Sequence, residues 1–208
     1  HLLSAMANFA AVGIQRERET RFRQRLERYH SPAVVGQILK SSQSLESPAL
    51  QAQRSEITVL FADISGFTRM SEGMEPLILA NILNRTFEAM TEQIFARGGT
   101  LDKYIGDAIM AFFGAPQADP HHPRLAVETA IAMQEALKFL NENRPDGYPE
   151  LMMRIGINSG EAFAGDIGCE KRMDYTVMGS TVNLASRLES GVAKAGQIVV
   201  GPRTAELI

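Results

Sequence analysis

The 208-residue chain contains one cysteine, Cys169. A single thiol excludes an internal disulfide framework and a cysteine-based zinc site. Its four histidines, His1, His30, His121 and His122, show no metal-ligand spacing. No apolar run reaches the ~18–20 residues that a membrane-spanning helix needs. The best candidate, residues 2–14, is short and interrupted by Ser4 and Asn8. It also lacks the basic start and cleavage site of a signal peptide. Strong positive charge is missing too: the net charge is −3, which gives no support to a nucleic-acid-binding surface. What remains is 45% hydrophobic and 22% charged, a globular composition long enough to bury its own core. Together these absences predict a soluble, cytoplasmic protein without nucleic acid partners.

Charge and glycine are unevenly spread. Residues 1–54 hold 8 Lys and Arg against 4 Asp and Glu, whereas residues 55–208 hold 13 against 20. Only 2 of the 17 glycines lie in the first segment, so that segment reads as continuous helix and the remainder as a domain rich in turns. Leu3, Met6, Ala10 and Ile14, then Phe22, Leu26 and Tyr29, form one helical stripe. A stripe this narrow needs a partner, either a second copy in a parallel coiled coil or the chain's own domain. Ser31 and Pro32 restart a short helix as N-cap and first residue. The organisation predicted is a helical arm over 1–40, a linker over 41–54 and a domain over 55–208.

In that domain, residues 57–62 form a β-branched, aromatic run read as a buried strand ending at Asp63. A helix is predicted over 76–97, stopped by Gly98 and Gly99. Strands over 100–105 and 108–113 flank Gly106-Asp107, a two-residue hairpin signal. A helix over 123–143 follows, then strands over 152–158 and 161–167 paired across Ser159-Gly160. A short strand over 175–178, a helix over 181–194, a strand over 197–200 and a last helix from Pro202 complete the order. This is an α+β pattern, a ferredoxin-like βαββαβ antiparallel sheet with helices on one face.

Asp63 ends the first strand and Asp107 sits at the hairpin tip. The βαββ plan makes these strands neighbours, so both carboxylates reach one end of the sheet. There they repel unless a cation lies between them. Mg²⁺ suits one or two carboxylates plus substrate phosphates, and two ions ~4 Å apart can hold both oxygens of a phosphoryl displacement. Turn chemistry alone also explains each aspartate singly. Gly66, just past the strand in Ser65-Gly66-Phe67-Thr68, can expose backbone N–H groups to phosphate.

Four ordered blocks carry a resemblance. Phe61-Ala-Asp-Ile-Ser-Gly-Phe-Thr, Asp102-Lys-Tyr-Ile-Gly-Asp-Ala-Ile-Met-Ala-Phe-Phe-Gly, Arg154-Ile-Gly-Ile-Asn-Ser-Gly and Tyr175-Thr-Val-Met-Gly-Ser-Thr-Val-Asn-Leu-Ala-Ser-Arg resemble the signature blocks of class III nucleotidyl cyclases. The resemblance covers residues 55–208 and implies the class III cyclase fold. It implies that Asp63, Asp107 and the backbone carbonyl of Ile64 bind two Mg²⁺ or Mn²⁺ ions. It places Lys103 and Thr176 on the base, Asn183 on the ribose, Arg187 on the transferring phosphoryl group and Arg154 on the triphosphate. The site is implied to lie in a head-to-tail homodimer, metal aspartates coming from one chain and base and transition-state residues from the other.

The residue chemistry agrees in part. Asn183 and Arg187 are four residues apart and share a helix face, which would equally be an ordinary solvated face. Arg154 at a strand start would equally be an ion-pair partner. Lys103 only donates, and the Thr176 hydroxyl can accept, which suits the ring acceptor and amino donor of adenine. Lysine can also donate to the guanine carbonyl. The resemblance therefore implies ATP as substrate and 3′,5′-cyclic AMP and pyrophosphate as products. A guanylate cyclase, and a dimeric nucleotide-binding module without turnover, stand as alternatives. Thr176 resembles the subclass found in bacteria and in bicarbonate-responsive cyclases. A further triphosphate-binding lysine of the family falls beyond Ile208, so the domain reads as C-terminally incomplete. Residues 2–15 resemble the last helix of a GAF sensor domain, which implies an upstream sensor.

Overall fold

The computed structural model describes residues 31–41, 52–169 and 172–208. The expected coiled-coil arm and GAF-like helix, and most of the expected linker, lie outside them. The described chain runs α1 (Pro32–Ser41), β1 (Gln53–Ile64), α2 (Phe67–Ser71), α3 (Pro76–Ala96), β2 (Thr100–Ile105), β3 (Ala108–Phe113), α4 (His122–Glu142), β4 (Met153–Cys169), β5 (Arg172–Met178), α5 (Ser180–Gly191), β6 (Ile198–Val200) and α6 (Pro202–Leu207). The strands form one sheet in the order β2-β3-β1-β4-β5. Its first four members have the order expected of a ferredoxin-like βαββαβ unit. All neighbours on this path are antiparallel. The three-residue β6 adds a parallel pairing to Ile155–Ile157 of β4.

The apolar run of β1 is continuous because both of its faces are covered. Leu60, Ala62 and Ile64 join Ile82, Met90 and Ile94 of α3 and Ala130, Met133 and Leu137 of α4 in one core. Ile57, Val59 and Phe61 point the other way, into a second core with Phe112, Ala185 of α5 and Val34 of α1. The expectation of helices on one face is thus corrected. A strand's side chains alternate between faces, and a run without polar alternation calls for a second cover.

The expected hairpin at Ser159-Gly160 is also corrected. Here β4 passes straight through these residues and pairs with β1 from Gln53↔Ala164 to Ile64↔Met153. Gln53 and Arg54, assigned to the linker, accordingly belong to β1. The two small residues answer to packing rather than turning. The Ser159 hydroxyl is 2.7 Å from Thr58 Oγ1 and 2.9 Å from Thr204 Oγ1, while a Cβ on Gly160 would lie 2.9 Å from Thr181 Oγ1 at the start of α5. Thr58 Oγ1 also meets His122 Nδ1 at 2.7 Å. A buried polar chain thereby ties the middle of the sheet to α4 and α6.

Smaller departures are local. Helix α5 stops at Gly191, short of the expected 194, and the Ala193 N–H closes it on the Leu188 carbonyl at 2.9 Å. Ser31 precedes α1 as expected, and its carbonyl accepts from the Val35 N–H at 3.0 Å. Its hydroxyl, however, is buried without a hydrogen-bond partner, so it is no side-chain cap. The hairpin at Gly106-Asp107 forms as expected, with Ile105 opposite Ala108 and Gly106 at φ 64°.

Candidate active site

The topology brings the two strand-end aspartates together. Asp63 of β1 lies between Ala108 of β3 and Arg154 of β4 in the register. Asp107 is the residue just before Ala108. Burial, and then the negative charge of Asp63, push the Asp107 carboxyl above the usual carboxylate range. Arg154 Nη2 is 2.7 Å from Asp63 Oδ2, and its Nε donates to Glu189 Oε1 at 2.6 Å. The guanidinium therefore bridges β1 to α5. Burial raises the Glu189 carboxyl as well, with Arg154 drawing it back.

The donor set suits a hard divalent ion. Two carboxylates repel across the sheet end, and among the described residues no group of three or more His, Cys, Asp or Glu converges. That is too few ligands for a closed structural site. It is the usual number for an ion that keeps waters and takes its remaining ligands from phosphate. The Ile64 side chain is 1% exposed in the core, and the Ser65 N–H donates to the Met152 carbonyl at 2.8 Å. These anchors hold the backbone beside Asp63.

Gly66 has φ 76°, a left-handed conformation that favours glycine, and nothing stands within 4 Å of where its Cβ would be. Phe67 and Thr68 open the single-turn helix α2. The first N–H groups of any helix lack intrahelical partners, so the Gly66–Thr68 turn keeps donors beside the carboxylates.

A second group forms where β2 and β5 approach. The Thr176 hydroxyl donates to Asp102 Oδ2 at 2.6 Å, and Lys103 Nζ is 3.2 Å from Asp102 Oδ1. Asp102 is at a bulge, since the β2–β3 register shifts between Leu101 and Lys103. Its side chain is 1% exposed and that of Lys103 45%. Tyr104 steadies the strand by stacking on Phe87 at 4.2 Å and meeting Thr91 Oγ1 at 2.8 Å.

The third group faces away. Thr181, Ala185 and Glu189 form the buried side of α5, while Asn183 and Arg187 are exposed on the other. The structure thus pairs Asp63 with Asp107, and Lys103 with Thr176, but does not bring Asn183 and Arg187 to either pair within one chain. Sequence reasoning missed Asp102 and Glu189. For Glu189 a signal existed: a carboxylate falls on the Thr181–Ala185 buried stripe. For Asp102 there was none, because a bulge breaks the alternation that assigns faces.

The sheet order and the paired strand-end carboxylates define a class III cyclase fold. Residues 50–208 match the adenylate and guanylate cyclase catalytic domain family, and the chain belongs to it. Adenylate cyclase 1 of Rhizobium meliloti is 41% identical over 139 residues, 66% of this chain and 21% of that protein. The crystal structure of the adenylyl cyclase CyaB from P. aeruginosa matches with a TM-score of 0.72 at 42% identity, over 76% of this chain and 83% of that one. The guanylyl cyclase Cya2 matches with a TM-score of 0.72 at 41% identity, over 75% and 79%. The chain spans less than a third of the length of the curated relatives it matches. Among the described residues, no helix is long and apolar enough to cross a membrane.

Proposed function

We propose that this domain is an adenylate cyclase, converting ATP to 3′,5′-cyclic AMP and pyrophosphate. The observation that carries the choice of ATP is the convergence of Lys103 and Thr176 on one buried carboxylate. Resemblance to whole structures does not decide the base, since an adenylyl and a guanylyl cyclase match equally well. A cationic donor beside a hydroxyl acceptor fits the ring nitrogen and amino group of adenine. Guanine would present donors where Lys103 stands.

In this reading the ribose 3′-hydroxyl attacks the α-phosphorus. A bond forms from O3′ to phosphorus as the hydroxyl proton is lost to solvent, the bond to the bridging oxygen breaks, and pyrophosphate leaves. Asn183 orients the ribose, and the forked donors of Arg187 hold the charge that grows on the α-phosphoryl oxygens. Arg154 passes from Asp63 to the triphosphate as substrate arrives. Asp63, Asp107 and the Ile64 carbonyl would hold two Mg²⁺ or Mn²⁺ ions, which supply Lewis-acid activation of the attacking hydroxyl and charge neutralisation on the phosphates. Because Asn183 and Arg187 are exposed on the face of α5 away from Glu189, the complete site needs a head-to-tail homodimer. Residues 1–40 would join the domain to an upstream sensor in a longer protein, a reading that the greater length of the relatives supports. An ATP-consuming domain of this kind would work in the cytoplasm.

The test is turnover of ATP and GTP with Mg²⁺ and Mn²⁺ across protein concentration. Specific activity on ATP should rise with concentration. Nucleotide binding with no turnover in the full-length protein would instead mark a binding module. In Lys103→Glu the preference for ATP over GTP should fall about a hundredfold or reverse, as hydrogen bonds of wrong polarity leave buried groups unpaired. An unchanged preference would remove Lys103 from the base site. Mixing Asp63→Ala with Arg187→Ala chains should restore activity that neither has alone, because one interfacial site then carries both intact residues. Confirmed mixed dimers without recovery would refute a shared site.

A further inference from the structure

We infer that Asp102 fixes the direction of the Thr176 hydroxyl and thereby sets which base the site accepts. The inference rests on the cyclase reading and deepens it. A threonine hydroxyl carries one proton and two lone pairs. Left to rotate, it donates to a carbonyl as readily as it accepts from an amino group, so by itself it separates guanine from adenine poorly. Here that freedom is removed. The Thr176 proton is committed to Asp102 Oδ2 at 2.6 Å, the short distance of a hydrogen bond to a carboxylate. An ionised carboxylate accepts and does not donate. The lone pairs of Thr176 are therefore what it has left to offer, and they suit the adenine amino group and repel the guanine carbonyl oxygen.

The surroundings hold this arrangement in place. The Asp102 side chain is 1% exposed, with the Lys103 ammonium 3.2 Å away as counter-ion. Burial pushes the Asp102 carboxyl up, and the Thr176 hydroxyl and the Lys103 charge draw it back. Across the ladder from Thr176 stands Gly165, so β4 places no side chain directly opposite it. The β2 bulge gives Asp102 no opposite residue on β3. One buried carboxylate thus holds both base-reading side chains, and being enclosed it is a positioning residue, not a contact of the nucleotide.

The experiment compares kcat/KM for ATP and GTP in the full-length protein, as wild type and as Asp102→Asn. The amide has the shape of the carboxylate. With its carbonyl oxygen drawn by charge towards the Lys103 ammonium, the NH₂ group faces Thr176 and reverses the hydrogen bond. The ATP:GTP ratio should then fall about tenfold or more, the scale of a misdirected buried hydrogen bond. In a Thr176→Val background Asp102→Asn should leave the ratio unchanged, since no hydroxyl remains to turn. An unchanged ratio in the single variant overturns the inference. So does an equal fall in the Thr176→Val background, which would route the effect through Lys103 instead. Should Asp102→Asn not fold, Asp102→Ala frees the rotor and must lower the ratio by a smaller factor, or the inference fails. If the wild type binds nucleotides without turnover, the cyclase reading fails by itself, and the ratio of ATP to GTP dissociation constants still decides the role of Asp102.

Discussion

Asp107→Asn should lower cyclase activity by about a thousandfold or more while leaving the fold as stable as the wild type, or more stable, at neutral pH. The activity loss follows from removing one of the two carboxylates that would hold the ions, which contribute several kcal/mol to the transition state. The stability gain follows from the raised Asp107 carboxyl, whose causes are burial first and then the charge of Asp63. An acid whose pKa is higher folded than unfolded binds its proton more tightly in the native state. Its ionised form therefore weakens the fold above the folded pKa. That penalty fades as pH falls through the raised value towards the ordinary carboxylate range, and below it the two proteins should melt alike. Asparagine removes the penalty and leaves the Arg154–Asp63 contact intact. Melting curves at several pH values, beside turnover assays, check both halves. Retained activity would remove Asp107 from the ion site. A neutral-pH melting temperature well below that of the wild type would refute the repulsion.

Gly156→Ala should be among the most damaging single-methyl additions in the sheet. Gly156 pairs with Phe61 of β1 and Val199 of β6, and α5 crosses directly over it. A Cβ there would lie 2.6 Å from the Ala185 carbonyl oxygen and 2.8 Å from Glu189 Cα, and would overlap the Glu189 backbone nitrogen. These are backbone atoms, so no rotamer change relieves the clash and the helix itself must move. Overpacking of this kind costs roughly 3 kcal/mol, or about 6–12 °C in melting temperature for a domain of this size. Activity should fall further than stability explains, because a displaced α5 carries Asn183, Arg187 and Glu189 with it. Thermal melting and turnover on the same preparation test this. A wild-type melting temperature would mean that α5 does not sit on Gly156.

These two positions show what the sequence could and could not convey. Asp107 was legible because Gly106-Asp107 between two β-branched and aromatic runs specifies a tight hairpin, and the split βαβ order puts that hairpin beside β1. The long helices α3 and α4 were legible from proline at their starts and apolar residues at helical spacing. Ser159-Gly160 misled because small polar residues serve both turns and close packing, and only the neighbouring Thr181, Thr58 and Thr204 decide between them. Helices on both faces were missed although the unbroken apolar run of β1 called for them. Asp102 was invisible for a different reason. Its burial comes from a one-residue bulge and from Thr176, 74 positions later, and no local pattern encodes that meeting.

Helix α5 has one further consequence. Its buried side grips Arg154 through Glu189 and so belongs to the carboxylate end of its own chain. Its exposed side carries Asn183 and Arg187, which in the proposed dimer serve the opposite site. A 12-residue helix is short and stiff, and nothing between its two faces can bend independently. In that dimer, nucleotide arriving at one site would draw Arg154 from Asp63, and any resulting tilt of α5 would reach the second site in the same motion. The two sites would then be geared together, and substrate held in one would alter the affinity of the other by a reciprocal factor.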